Sequence, residues 1–361
     1  MRIYLSPPHM SGKELKYIKE AFKSNYIAPL GPFVEKFEEA IKAYTKASHA
    51  LALSSATSGI HLALRTLGIK EGDKVAVSSF TFIASLSPIL YQKATPVLID
   101  ANESWQMDPN ALEDALKKEH IKAVIVTHLY GQSAPIKEIA ELCQKYKAHL
   151  IEDAAESLGA VYEKKHTGTY GIFGVYSFNG NKILTTSGGG VLVGEDKKLM
   201  NEARKLSTQA KEEGFAWYEH TTYGYNYRLS NILAAIGVAQ MEVLDERIAK
   251  KRAIFSWYQE ELQDIATFMP QLPNSQGNRW LTTALFASDP LKIYEALKNR
   301  GIESRPLWKP MHLQPLCKDF AFYGKGVSEK LFAKGLCLPS GTQLQRKDVE
   351  TICNNIRKQL W

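Results

Sequence analysis

Ala148-His-Leu-Ile-Glu-Asp153-Ala-Ala-Glu156-Ser157 decides the fold. It reads as a short strand that closes on an acid and passes into a small-residue turn. The runs before it repeat the pattern. Strand-like segments stand at 49–53, 74–78, 96–100 and 122–127, and helical patterns stand between them at 60–67, 82–90 and 136–147. Strands rich in β-branched residues that alternate with helices of ten or more residues imply a parallel α/β sheet covered on both faces. Ligands of such sheets bind at the carboxyl ends of the strands, where Asp153 and the turn Ser54-Ser-Ala-Thr57 fall.

Working outward, Ser11-Gly-Lys-Glu14 has the spacing of a capping box before a helix. Pro29-Leu-Gly-Pro32 breaks the chain ahead of a second helix over 34–44. Asp108-Pro109 reads as an N-cap with proline at the first helical position. A strand is expected at 190–194, then one long helical run over 231–262. Beyond it come a strand at 280–286 and helices at 291–299 and 346–360. A chain of 361 residues exceeds one comfortable core. The domain boundary is placed near Val243, giving a large domain at 1–243 and a small α+β domain at 244–361.

Composition narrows the function. Hydrophobic residues make up 45% and charged residues 23%, as in ordinary globular proteins. No apolar stretch approaches the roughly 18 residues of a membrane helix, and the start, broken by Pro7-Pro8, does not read as a signal peptide. The expectation is a cytoplasmic protein. Cys143, Cys317, Cys337 and Cys353 have no metal-ligand spacing, and no metal is assigned. A net charge of +7 without a dense basic run argues against nucleic acid.

Lys182 stands 29 residues after Asp153, in Tyr176-Ser-Phe-Asn-Gly-Asn-Lys182-Ile-Leu-Thr-Thr-Ser-Gly-Gly-Gly190. Each residue alone has a plain alternative, since strand-end aspartates also cap helices and most lysines are solvated. Glu152 reads as a surface or supporting group, and Glu156 as a helix-start charge or a cofactor contact. Together an acid at a strand end and a lysine in a small-residue turn suit pyridoxal phosphate. The acid pairs with the ring nitrogen, and the lysine holds the aldehyde as a Schiff base. Ala56 and Thr57 open a helix whose free N–H groups suit a phosphate. Ser177 and Asn179 add polar donors, and Phe82 can stack on a ring. Asn226 and Arg228, in Gly224-Tyr-Asn226-Tyr-Arg228, can bind phosphate oxygens. Arg305 and His312 are candidates to face substrate.

In family order, Ser54-Ser-Ala-Thr57, Thr81-Phe82, Glu152-Asp153-Ala-Ala-Glu156, Ser177-Phe-Asn179-Gly-Asn-Lys182, Gly224-Tyr-Asn226-Tyr-Arg228 and Cys337-Leu-Pro339-Ser-Gly resemble the DegT/DnrJ/EryC1/StrS family. The resemblance implies the aspartate aminotransferase-like fold type I and amino transfer to nucleotide sugars. By it Lys182 is the Schiff-base lysine, Asp153 pairs with the pyridine nitrogen, Glu156 contacts the ring hydroxyl and Phe82 covers the ring. Ala56, Thr57 and Ser177 hold the phosphate, and Asn226 arrives from the second subunit of a homodimer. Leu5-Ser-Pro-Pro-His-Met10 and Thr127-His-Leu-Tyr-Gly131 look closer to the PglE-type branch. That branch aminates UDP-4-keto-6-deoxy-N-acetylglucosamine, with L-glutamate as donor, 2-oxoglutarate as by-product and pyridoxamine phosphate formed during the cycle.

Overall fold

The computed structural model describes residues 2–359. Its centre is an eight-stranded sheet. The spatial order is His49–Leu53, Gly190–Gly194, Phe173–Ser177, His149–Asp153, Ile121–Thr127, Lys74–Ser78, Thr95–Ile99 and Phe322–Tyr323. All neighbours pair in parallel except around Gly190–Gly194, which runs antiparallel to both His49–Leu53 and Phe173–Ser177. The sheet is therefore mainly parallel, as expected, with one reversed strand. That strand follows Phe173–Ser177 through residues 178–189, which carry Lys182 and form no helix, so the chain turns back without the crossover helix that usually joins parallel partners.

Side chains that alternate along each strand feed two cores. Val75 and Val77 pack with the helix Ala56–Thr66, whereas Ala76 packs among Leu112, Ala115 and Ile139 of the helices on the other face. Both faces are covered, so the strands read as nearly continuous apolar runs.

Several local expectations shift. Glu14 supplies half of the anticipated capping box, accepting from the Ser11 and Gly12 N–H groups at 2.7 and 3.0 Å. Ser11 Oγ accepts only from the Lys13 N–H, at 3.2 Å and ahead of the helix, which starts later, at Glu14–Lys23. The segment 82–90 is a short 3-10 turn, Ile83–Ser85, then one turn of α-helix at Ser87–Tyr91, because Pro88 tolerates only a helix start. The run expected over 231–262 is two helices, Asn231–Met241 and Leu244–Leu262, with the break at Glu242-Val243. The strand expected from Trp280 begins at Thr282, and the expected end of the last helix, Leu360, lies outside the described residues. The four cysteines are buried and unpaired. Among the described residues no helix is long and apolar enough to cross a membrane.

The C-terminal part builds an antiparallel sheet of Ala266–Phe268, Thr282–Phe286, Gly335–Leu338 and Arg305–Pro306. Ile254, Tyr258, Leu297, Val349 and Ile352 form its own core. Phe322–Tyr323 then returns to the edge of the large sheet beside Thr95–Ile99. The buried Asp100 carboxylate pins that return by accepting from the N–H groups of Lys325, Val327 and Ser328 at 3.1, 2.9 and 3.1 Å.

Phe37 joins the outer helices to the sheet. It is fully buried, meets Phe178 edge-on at 5.0 Å, and lies so close to Gly237 that a Cβ there would stand 2.7 Å from its ring. Phe37→Ala should cost about 3–5 kcal/mol. In urea unfolding this would appear as a lowered midpoint at unchanged slope.

Candidate active site

The carboxyl end of His149–Asp153 presents Asp153, almost wholly buried. Its Oδ2 accepts from Ser85 Oγ at 2.6 Å and its Oδ1 from the Ala155 N–H at 3.1 Å. Thr81 Oγ1 stands 2.8 Å from both Ser85 Oγ and Thr127 Oγ1, so a chain of hydroxyls fixes the carboxylate's orientation. No helix follows Asp153, and the capping alternative is set aside. Glu152, expected at the surface or in support, is fully buried. It accepts from the Gly168 N–H at 2.7 Å and lies 2.8 Å from His128 Nε2. It braces the turn behind the strand because its side chain points to the opposite face from that of Asp153.

Lys182 leaves a turn closed by its own N–H on the Asn179 carbonyl at 3.0 Å. Its amine donates to Glu156 Oε1 at 3.3 Å and lies 4.0 Å above the Trp280 ring. Glu156 Oε2 accepts from the Tyr130 N–H at 2.7 Å. Burial pushes the Glu156 carboxyl above the usual carboxylate range, while the Lys182 ammonium pulls the other way.

A third element supplies an anion cradle. Ser55 caps the helix Ala56–Thr66, with its Oγ accepting from the Ser58 N–H at 3.0 Å while Ser58 Oγ accepts from the Ser55 N–H at 3.2 Å. The N–H groups of Ala56 and Thr57 have no partner within the helix and sit at its positive end.

Ala56, Thr57, Phe82, Asp153, Glu156, Ser177, Asn179 and Lys182 all line one cavity of about 250 Å³. Phe82 is about half exposed there, its ring 5.0 Å from that of Trp308. Pyridoxal phosphate fits this donor set, which offers a carboxylate for the ring nitrogen, an amine for the aldehyde, N–H groups for the phosphate and an aromatic face for the ring.

The remaining candidates stand elsewhere. Asn226 and Arg228 border a separate open hollow beside Lys197, Arg204 and Lys205. Arg228 Nη2 donates to Glu38 Oε1 at 3.2 Å. Arg305 is exposed and pairs with Glu303 at 3.0 Å. His312 lies between Ser79 Oγ at 2.7 Å and Glu329 at 3.2 Å, stacked on Phe322.

Sequence reading passed over Trp280, Trp308, Tyr130 and Ser85. Trp280 is buried beneath Lys182 and donates its indole N–H to the Asn181 carbonyl at 2.7 Å. The Trp308 N–H donates to Tyr130 Oη at 2.8 Å. Both tryptophans come from distant chain with no local motif. Ser85 carried a signal, as a hydroxyl three residues past Phe82 in a Ser/Thr-rich stretch.

Two predictions follow from this geometry. A Cβ on Gly190 would stand 2.3 Å from Ala56 N and 2.4 Å from Ser55 C, both backbone atoms. Gly190→Ala should displace the cradle and weaken cofactor affinity by about tenfold or more, equivalent to ~1.4 kcal/mol, measured by titration of the apo-protein. His61, on the helix that forms the cradle, is held between Tyr227 Oη at 3.1 Å and Gln92 Nε2 at 2.6 Å. Burial, with help from Arg65, lowers it from 6.5 to about 4. The unfolded chain takes up a proton below pH 6.5 that the folded chain refuses until about 4, so stability falls as pH drops through this window. His61→Phe should flatten that part of the stability–pH curve in chemical unfolding.

Comparison with known proteins agrees with this geometry. Residues 8–357 match the model of the DegT/DnrJ/EryC1/StrS aminotransferase family. A putative pyridoxal phosphate-dependent aminotransferase, EpsN, of Bacillus subtilis is 52% identical, over 95% of this chain and 92% of that protein. A GDP-perosamine synthase of Escherichia coli O157:H7 is 34% identical, over 97% and 96%. The crystal structure of the aminotransferase TlmJ from Streptoalloteichus hindustanus superposes with a TM-score of 0.94 at 27% identity, covering 100% of this chain and 99% of that one. The chain belongs to the DegT/DnrJ/EryC1/StrS family and is a pyridoxal phosphate-dependent aminotransferase.

Proposed function

We propose that the protein moves an amino group from L-glutamate to C4 of a nucleotide-linked 4-keto-6-deoxy sugar, with UDP-4-keto-6-deoxy-N-acetylglucosamine as substrate. The observation that carries the reading is the convergence of Lys182, Asp153 and the Ser55–Thr57 turn on one cavity. The nucleotide-sugar class draws support from the perosamine synthase relative, and the UDP sugar from the resemblance of the segments 5–10 and 127–131.

Bound pyridoxal phosphate supplies an electron sink for the carbon that loses its proton. The protein's part is to hold and to move protons. Asp153, fixed by Ser85, keeps a proton on the ring nitrogen. The N–H groups of Ala56 and Thr57, with Ser177, would hold the phosphate, Asn179 would be a further cofactor contact, and Phe82 would cover the ring. Lys182 Nζ takes the proton from the glutamate α-carbon and, in the second half of the cycle, delivers one to the sugar C4. Glu156, in contact with Lys182, would face the ring hydroxyl. Asn226 sits on an outer hollow of its own chain, which supports a second copy completing the phosphate site in a homodimer. Arg228, on the same outer hollow as Asn226, serves the sugar nucleotide in that homodimer, whereas Arg305 and His312, engaged with Glu303 and with Ser79 and Glu329, draw no support from the structure for the substrate role expected of them. Residues 1–243 form the cofactor domain and 244–361 the small domain, a division supported by the helix break at Glu242-Val243.

A second reading, a GDP-linked 4-keto sugar, is favoured by the 34% identity to GDP-perosamine synthase. The test is turnover with L-glutamate against UDP-, GDP- and dTDP-linked 4-keto-6-deoxy sugars, read by mass spectrometry. Amination of the UDP sugar alone is expected; amination of the GDP sugar alone selects the second reading. Lys182→Ala should lower turnover by about 10³-fold or more, and a wild-type rate in that variant would overturn the assignment.

A further inference from the structure

Lys251 is a buried amine that the reaction as described does not use. It stands on the helix Leu244–Leu262 with 2% of its surface exposed. Its Nζ donates to Ser6 Oγ at 3.1 Å and to the Trp280 carbonyl at 2.9 Å, and among the described residues no carboxylate is a hydrogen-bond partner. Burial alone lowers the amine to about 7. Such a group weakens a fold that a methionine of similar length would fill without penalty.

Its two acceptors lead to one place. Ser6 Oγ donates to the Asn181 carbonyl at 3.0 Å, and Trp280 Nε1 donates to the same oxygen at 2.7 Å. Asn181 precedes Lys182, whose amine lies 4.0 Å above the Trp280 ring. Lys251 and Lys182 also border one small hollow between the N-terminal segment and the residues after Lys182. The amine thus ties three separate stretches of chain, near residues 6, 181 and 280, behind the reacting lysine.

We propose that Lys251 is a positioning residue for Lys182: through Ser6 and Trp280 it holds the Asn181 carbonyl and the indole against which the Lys182 side chain rests. The inference rests on Lys182 being the lysine that bonds the cofactor.

The test compares holoenzymes. Lys251→Met should keep its cofactor and a thermal midpoint equal to or above that of the wild type. The rate of its glutamate half-reaction should fall about tenfold with KM within about twofold, because small misplacement of a reacting group acts on rate. The fraction of cofactor trapped on Lys182 by borohydride should fall with it. Ser6→Ala should move both readouts the same way by less, and the double variant should lose no more than Lys251→Met alone, because the two share one network. A wild-type rate in Lys251→Met overturns the proposal. So do additive losses, or a rate loss matched by an equal loss of folded protein. If Lys251→Met does not fold, Ser6→Ala decides, and a wild-type rate there overturns the proposal. The control is Lys182→Ala: turnover retained in that variant removes the reading of Lys182 itself, whatever Lys251 does.

Discussion

The close approach of Gly190 to the Ser55–Ala56 peptide is the constraint on which the site depends. The reversed strand Gly190–Gly194 lies between His49–Leu53 and Phe173–Ser177, so it sits between the anion cradle and the segment that leads to Lys182. With any side chain at 190 the cradle would move away from the amine and the carboxylate it serves. The antiparallel turn-back has the same result from the other side. It keeps residues 178–189 short, and Lys182 stays at the carboxyl-terminal edge of the strands, in one cavity with Asp153 and Glu156.

Around that edge the protein holds charge in two ways. Carboxylates are surrounded by N–H or hydroxyl donors: Asp153 by Ser85 and Ala155, Glu152 by the turn at 168–171, and Asp100 by the turn at 325–328. Each is a buried carboxyl whose oxygens are met by fixed donors, and each ties a loop to a strand end. Glu156 is held in both ways, by the Tyr130 N–H and by the Lys182 amine within the cavity, and burial raises its carboxyl.

The far part of the chain closes the site. Asp100 pins the return of Phe322–Tyr323 to the large sheet, while the Met311 N–H donates to the Ser79 carbonyl at 2.7 Å. Trp308 is thereby set beside Phe82, and Trp280 beneath Lys182. These aromatic walls give the cavity its shape, and both come from beyond the break at Glu242-Val243.

The sequence by itself determined the alternation of strand and helix and put Asp153 and the Ser54–Thr57 turn at strand ends, because periodicity, caps and small-residue turns are local signals; that they share one cavity with Lys182 is a result of the fold. The sequence carried the family too, since those motifs stand in order along the chain. Only the tertiary structure decided that Gly190–Gly194 runs backwards, that Glu152 is buried with His128, that Arg228 is paired with Glu38, and that His312 faces Ser79 rather than the cavity. It alone brought Trp280, Trp308 and Lys251 to the site. The physical reason is the same in each case: these positions are set by packing between segments far apart in the chain, and no local pattern of residues encodes which distant surface a side chain will meet.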